Sequence, residues 1–488
     1  EESKAEAAKL LASSTSLDRY VALAGLILWA STKKEEELES GISGLLQNAV
    51  DPDEMFQKLD ELFTDIQHDT YPAEPQIWQV SLNRKATAAI EKSVPAVKGD
   101  AARSVFRVKC DGIAWAVIDS GIDGDHPALR DSKRRPRVVK HFDFSDIRRI
   151  VSLDNARIEP GEPWLVEFLK DRKLDPAQAA ADLRSLADDA NNDRPIHWEL
   201  VEKFITIEGA TPPHSGHGTH VAGIIGASAA AMTPSLPAAA PGSPEEDDSQ
   251  PRFADGMCPD IRFYDFRVLS KSLEDTEFAI IAALQYIRYL NERHSYITIH
   301  GANLSLSIPH DVRNFACGRT PVCNECERLV DSGVTVVAAA GNLGYHSFET
   351  KEGSYEGYSA YSITDPGNAD GVITVGATHR FWPHTYGVSF FSSRGPTGDG
   401  RMKPDLVAPG ERIRSCLPEG EWGELDGTSM AAPHVSGAAA MLMARYSELI
   451  AQPREIKRIL CESATDLGRE RNFQGHGMLD VLRAFQKV

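Results

Sequence analysis

The stretch IAWAVIDSG, residues 113–121, is an apolar run that ends in a carboxylate, a serine and a glycine. A continuous apolar run bounded by turn-forming residues predicts a strand buried on both faces, the kind found in parallel sheets covered by helices. Similar runs recur at 261–269 (IRFYDFRVL), 296–308 (YITIHGANLSLSI), 334–342 (VTVVAAAGN) and 372–378 (VITVGAT), with helical stretches such as 273–293 between several of them. The expected fold class is α/β, a mainly parallel central sheet with helices on both faces. Functional groups in such folds gather at the carboxyl ends of the strands, and Asp119 stands at one of these ends. A carboxylate placed there is costly unless something pairs with it.

The rest of the composition narrows the class. The chain has 488 residues, 42% hydrophobic and 25% charged, which is enough for a large core. A net charge of −19 argues against nucleic-acid binding, which needs a basic face. Residues 1–69 hold 6 Lys/Arg against 15 Asp/Glu, nearly half of that excess. Within them, DPDEMFQKLDELFTDI (51–66) has Asp51 as N-cap, Pro52 at the first helical position and Glu54 for a capping box. Met55, Leu59, Leu62, Phe63 and Ile66 follow at helical spacing. An acidic all-α module is predicted over 1–75, then a linker or propeptide-like junction over 76–105. YVALAGLILWA (20–30) is too short to span a bilayer, so no membrane partner is expected.

Seven cysteines in a long chain do not form a small disulfide scaffold, and free thiols in a reducing compartment are the plainer reading. The cluster CGRTPVCNEC (317–326), with His310 upstream, leaves zinc or a local disulfide open beside structural thiols.

The partner of Asp119 is found further along the chain. SGHGTHVAGIIGAS (215–228) offers His217 at the start of a small-residue helix, where Gly218, Ala222 and Gly223 permit close packing. DGTSMAAPHVSG (426–437) offers Ser429 at the head of another helix, with Pro433 read as lying in its first turn. A nucleophilic serine needs a base, and the base needs a group to orient it. Asn342, just past a strand end in AAAGNLG (338–344), and the Ser429 backbone N–H would supply donors to the oxyanion. His214, His220 and His434 match no catalytic role and are read as structural.

Taken in the order Asp, His, Ser, these stretches resemble the subtilisin family of serine proteases. The likeness runs over about 106–488 and includes GMCPDIRFYDFRVL (256–269), GANLSLS (301–307) and FSSRGPTGDGRMKPDLVAPG (391–410). The resemblance implies a subtilisin-like three-layer sandwich, with Ser429 as nucleophile, His217 as general base and then acid, Asp119 orienting the imidazole, and Asn342 in the oxyanion hole. It further implies that a peptide adds as a strand beside 304–307, with its primary pocket between Ser305-Leu306-Ser307 and Ala339-Ala340-Gly341. Ser307 stands where the family commonly has glycine, and Trp115 where it usually has a small residue. The chemistry implied needs no cofactor; structural calcium is common in the family, and the loops 119–127 and 365–371 hold suitable oxygens.

Two insertions, at about 150–210 and 227–251, set this chain apart, and the first makes the Asp119–His217 spacing 98 residues. Residues 77–101 resemble the junction between propeptide and mature enzyme in some bacterial subtilases, with a strand at 77–83 and self-cleavage within 84–93; a permanent accessory domain is the alternative. The expected function is a serine endopeptidase acting through an acyl-enzyme and regulated by its N-terminal region. The alternative is a catalytically silent binding module of the same fold. Expected partners are a protein or peptide substrate and a regulatory protein docking on the N-terminal module or on 150–210. A cytoplasmic, bacterial setting is expected, with secretion as the alternative.

Overall fold

The computed structural model describes residues 93–488 apart from 171, 210, 233–254, 270–274, 351–352 and 381. The helical module and the strand predicted at 77–83 lie outside the described residues, as do all but the last residue of the 84–93 cleavage stretch and most of the 227–251 loop.

Eight strands make the central sheet: β1 (Ala114–Asp119), β2 (Val138–Asp143), β3 (Thr206–Ile207), β4 (Arg262–Arg267), β5 (Gly301–Leu304), β6 (Thr335–Ala339), and, after a hairpin of β7 (Tyr345–Thr350) and β8 (Gly353–Tyr358), β9 (Ile373–His379) and β10 (Leu406–Glu411). The order is β10-β9-β6-β5-β1-β4-β2-β3. All neighbours are parallel except β2 and β3. Every residue of β1 is buried, as its unbroken apolar run requires.

The helices used below are α1 (Gly99–Phe106), α2 (Pro176–Asn191), α3 (Trp198–Ile205), α4 (His217–Gly226), α5 (Thr276–Glu292), α6 (Pro321–Asp331), α7 (Thr428–Arg445), α8 (Pro453–Ser463) and α9 (Val481–Lys487). Alternation along β1 divides the core in two. Trp115 and Val117 face the layer of α4, α7, α8 and α9, while Ala116 and Ile118 face α5 and α6. Trp115 fits because β5 has Gly301 beside it: a Cβ there would come 2.2 Å from the indole ring. The large residue on the aspartate strand is thus matched by the absence of a side chain on its neighbour.

The 150–210 segment folds onto the second face and contributes α2 and α3 to its core. Helix α2 is capped by its own sequence, with the Asp175 carboxylate accepting from the Gln178 N–H at 2.8 Å and Pro176 at the first position. The segment then returns as β3, the antiparallel edge strand. The end of the predicted junction is also built in: Val97 and Ala102 are fully buried, and the Phe106 ring lies 4.8 Å from that of Phe485 on α9. The compact unit therefore begins before residue 106, because an amphipathic helix docks within the stretch expected to be a linker or propeptide-like junction.

Candidate active site

Strand β1 delivers Asp119 to the carboxyl edge of the sheet, where its carboxylate is fully buried. Its oxygens lie 2.8 and 2.9 Å from His217 Nδ1. One of them also accepts from the Ser120 N–H at 2.7 Å and from the Ser120 hydroxyl at 3.0 Å. These donors offset the cost of burying the charge. Asp119 in turn raises the pKa of His217 above the usual imidazole value, mainly through its negative charge.

His217 is the first residue of α4, and close approach places it there. A Cβ on Gly218 would come 2.5 Å from the Gly121 carbonyl, and one on Gly223 would come 2.2 Å from Ser415 Oγ. Ser120 ties the two elements together, its hydroxyl accepting from the Gly218 N–H at 3.1 Å.

Ser429 occupies the second position of α7. Its hydroxyl donates to the Ser305 carbonyl at 3.1 Å, and Ser305 Oγ donates back to the Ser429 carbonyl at 2.7 Å. Pro433 explains the second bond. It is the sixth residue of α7, not a first-turn residue as the sequence suggested. A helical N–H four residues on would normally satisfy the Ser429 carbonyl, but proline has none, and the Ser305 hydroxyl takes its place. Among the described residues, Ser429 makes no hydrogen bond with His217, whose Nε2 has no protein partner. The aspartate–histidine pair is joined; the serine is beside the substrate-strand candidate instead.

Asn342 lies past the end of β6, and its Oδ1 accepts from both the N–H and the hydroxyl of Thr428, each at 3.0 Å. Thr428 Oγ1 accepts from the Gly341 N–H at 3.1 Å. This fixes the amide so that Nδ2 is left as a donor. The Ser429 N–H, an orphan of the helix start, also has no partner among the described residues. Gly427, with φ of +148°, brings the two donors to one place: a Cβ on it would stand 3.3 Å from Asn342 Nδ2 and 3.6 Å from the Ser429 nitrogen.

The expected substrate residues divide. Strand β5 ends at Leu304, and no backbone–backbone hydrogen bond among the described residues uses Ser305, Leu306 or Ser307. Ser307 is exposed, while Ser305 and Leu306 are buried. On the other side, Ala339 and Ala340 are buried, Ala340 is bonded to Val375 and Thr364, and Gly341 turns the chain with φ of +103°.

The other histidines are held by the fold. His220 Nε2 lies 3.0 Å from the Ile413 carbonyl and burial lowers its pKa to about 4; His434 Nδ1 lies 2.9 Å from the Met430 carbonyl and burial also lowers it to about 4. His214 meets Ser145 Oγ at 3.3 Å.

The cysteines are free thiols, and among the described residues no three His, Cys, Asp or Glu side chains come together to hold a metal. His310 instead meets Asp365 at 3.0 Å. In the two loops whose oxygens suit calcium, the carboxylates of Asp123 and Asp365 already have protein partners. The Asp123 oxygens accept from the backbone N–H groups of Asp125 and Glu419, each at 3.0 Å. Asp365 is taken by His310, Thr320 and Asn368.

Ser120 and Thr428, which hold Asp119 and Asn342, were not singled out from the sequence, although each is adjacent to a residue that was.

Comparison with known proteins places the chain. The peptidase S8 model, described as the subtilase family, matches residues 111–477. Subtilisin DY of Bacillus licheniformis is 29% identical over 58% of this chain and 82% of its own length. The intracellular serine protease of Paenibacillus polymyxa is 25% identical over 82% of this chain and 88% of its own length. The match to the major intracellular serine protease of Bacillus subtilis is 33% identical and covers 49% of this chain and 59% of that protein. The Clostridium perfringens CspB protease structure shares the fold, with a TM-score of 0.52 at 19% identity over 81% of this chain and 98% of that one. The chain belongs to the subtilase family of serine endopeptidases.

Proposed function

We propose that this chain cleaves peptide bonds through an acyl-enzyme on Ser429, with His217 as general base and then acid and Asp119 holding the imidazole tautomer. The observation that carries the reading is the Asp119–His217 contact of 2.8 Å beside a helix start whose Ser429 N–H and neighbouring Asn342 amide are both unspent donors. On substrate arrival the serine hydroxyl turns from the Ser305 carbonyl to His217 Nε2; such contacts commonly tighten only in the complex. The substrate pairs with Ser305-Leu306-Ser307, and its side chain enters between that segment and Ala339-Ala340-Gly341. The chemistry uses protein groups alone.

The imidazole must be neutral to act as a base. Because Asp119 raises its pKa, the protonated and inactive form persists above the usual value. The acid limb of kcat/KM for a peptide substrate is expected to titrate above pH 6.5, the ordinary imidazole value. A limb below that value contradicts the assignment of His217 as base. Replacing Asn342 with Ala is expected to lower kcat by about 10²–10³ with KM unchanged, since the amide is used on charge that develops only in the transition state. Steady-state kinetics checks this, and an equal rise in KM instead would make Asn342 a substrate contact.

We further propose that residues 1–92 and the 150–210 segment regulate access to the cleft, as the acidity of 1–69 and the position of the insertion suggest. Incubation with casein, followed by mass spectrometry of the products, tests the role of residues 1–92. Broad cleavage by the full chain would remove the regulatory role, whereas activity that appears only after residues 1–92 are clipped supports it. Among the described residues no helix is long and apolar enough to cross a membrane.

A further inference from the structure

Beside Asp119 in the sheet, at the same register on β4, stands Arg267. An arginine on a central strand, fully buried, needs a reason to be there. Its guanidinium is bonded in three directions. Nε donates to Asp265 Oδ2 at 2.9 Å, and that oxygen lies 2.8 Å from His141 Nδ1 on β2. Nη1 donates to the Pro212 carbonyl at 2.7 Å and Nη2 to the Thr211 carbonyl at 3.0 Å. Nη2 also reaches the Ile122 carbonyl at 3.5 Å.

Ile122 is in the loop that leaves Asp119. Thr211 and Pro212 are in the segment that enters His217 and closes the long 150–210 insertion. The guanidinium therefore holds together the two loops on which the aspartate–histidine geometry depends. Gly121 marks the contact: its φ is +113°, and a Cβ on it would stand 2.8 Å from Arg267 Nε. The α4 helix rests on the other side of the same residue, since Gly218 packs against the Gly121 carbonyl. Arg267, Gly121 and the start of α4 form one stack, with the His217 imidazole attached to its top.

We propose that Arg267, charge-balanced by Asp265 and anchored through it to His141, is a positioning residue that sets the Asp119–His217 geometry, a proposal that rests on the protease reading only for its kinetic consequence. The planar fork with its fixed donors is what the site requires. Lysine would balance Asp265 but has a single nitrogen on a flexible stem, so it cannot hold both loops at once.

The test uses the full chain with Arg267→Lys and Arg267→Met, the lysine variant keeping the buried charge balanced so that it folds. Two quantities are read. One is kcat and KM on a peptide substrate. The other is the low-field proton NMR signal of the His217 Nδ1–H bonded to Asp119, measured in a Ser429→Ala background where no turnover occurs. In the methionine variant kcat is expected to fall about 100-fold with KM unchanged, as for a small misplacement of catalytic groups. In both variants the low-field signal is expected to move or broaden, and lysine restores stability without restoring the signal. A folded lysine variant with wild-type kcat and an unmoved signal overturns the proposal. If the signal responds but the wild-type chain cleaves no peptide, the protease reading fails and the positioning role stands. If the wild type cleaves and the signal is indifferent to Arg267, only the positioning role fails.

Discussion

Ser429→Ala is expected to lower kcat by about 10⁶, a magnitude carried over from subtilisin, a member of the same family. The side-chain hydroxyl is the nucleophile in the proposed mechanism, and no neighbouring group replaces it: Ser305 Oγ is committed to the Ser429 carbonyl and to the Asn303 amide, which donates to it at 2.9 Å. The fold should not suffer. The hydroxyl makes one hydrogen bond, to the Ser305 carbonyl, and a bond of that kind is worth about 1 kcal/mol. The Ser429 N–H and the Asn342 amide stay in place, so a residual rate above that in water should survive. Single-turnover kinetics beside a thermal unfolding scan separates the two effects. A variant that unfolds early would mean the loss of activity reports on structure; one that still turns over at near the wild-type rate would remove Ser429 from the mechanism.

Asp119→Asn is expected to lower kcat by about 10⁴, the loss seen when the same carboxylate-to-amide change is made in another serine protease triad. The carboxylate accepts from His217 Nδ1 and from both the N–H and hydroxyl of Ser120. An amide has one oxygen for these three donors. With its oxygen kept by Ser120, its NH₂ faces His217 and forces the proton onto Nε2, leaving no lone pair to accept the serine proton. The charge goes as well. Since the negative charge of Asp119 is the main cause of the raised His217 pKa, the acid limb of kcat/KM should move to lower pH in the variant. A pH–rate profile checks both consequences, and a limb left in place would mean that another group titrates there.

The parts of this site that the sequence disclosed are those whose chemistry is local. Asp119 follows its own apolar strand, His217 opens a run of small residues, and Asn342 follows a strand end, so each is legible within about ten residues of itself. Strand positions are legible in the apolar-rich runs, β4 among them although Arg262, Asp265 and Arg267 interrupt its run. β10, in LVAPGE, carries a proline and a glycine, which mask it as a strand. β3 was missed because an edge strand of two residues has no period.

What remained illegible depends on residues far apart in the chain. Arg267 was visible as a charge within IRFYDFRVL, but its partners Ile122 and Pro212 lie 145 and 55 residues away. The exchange of hydrogen bonds between Ser305 and Ser429 spans 124 residues. Pro433 lies beyond the first turn because the helix starts at Thr428, whose N–H is bonded to the Asn342 oxygen, a long-range contact that local propensity does not weigh. The 150–210 segment, an insertion by sequence, supplies α2 and α3 to the core, which its sequence hides because half of an amphipathic helix looks polar.

In the proposed mechanism Ser429 is an activated nucleophile in an assembled site. The most direct measurement is to treat the purified full chain with a fluorophosphonate, then read the intact mass and map the adduct by peptide mass spectrometry, beside Ser429→Ala as control. A single adduct is expected, on Ser429, absent in the control and forming faster as pH rises through the His217 titration. A folded chain that takes no adduct, or takes it on another residue, would contradict it.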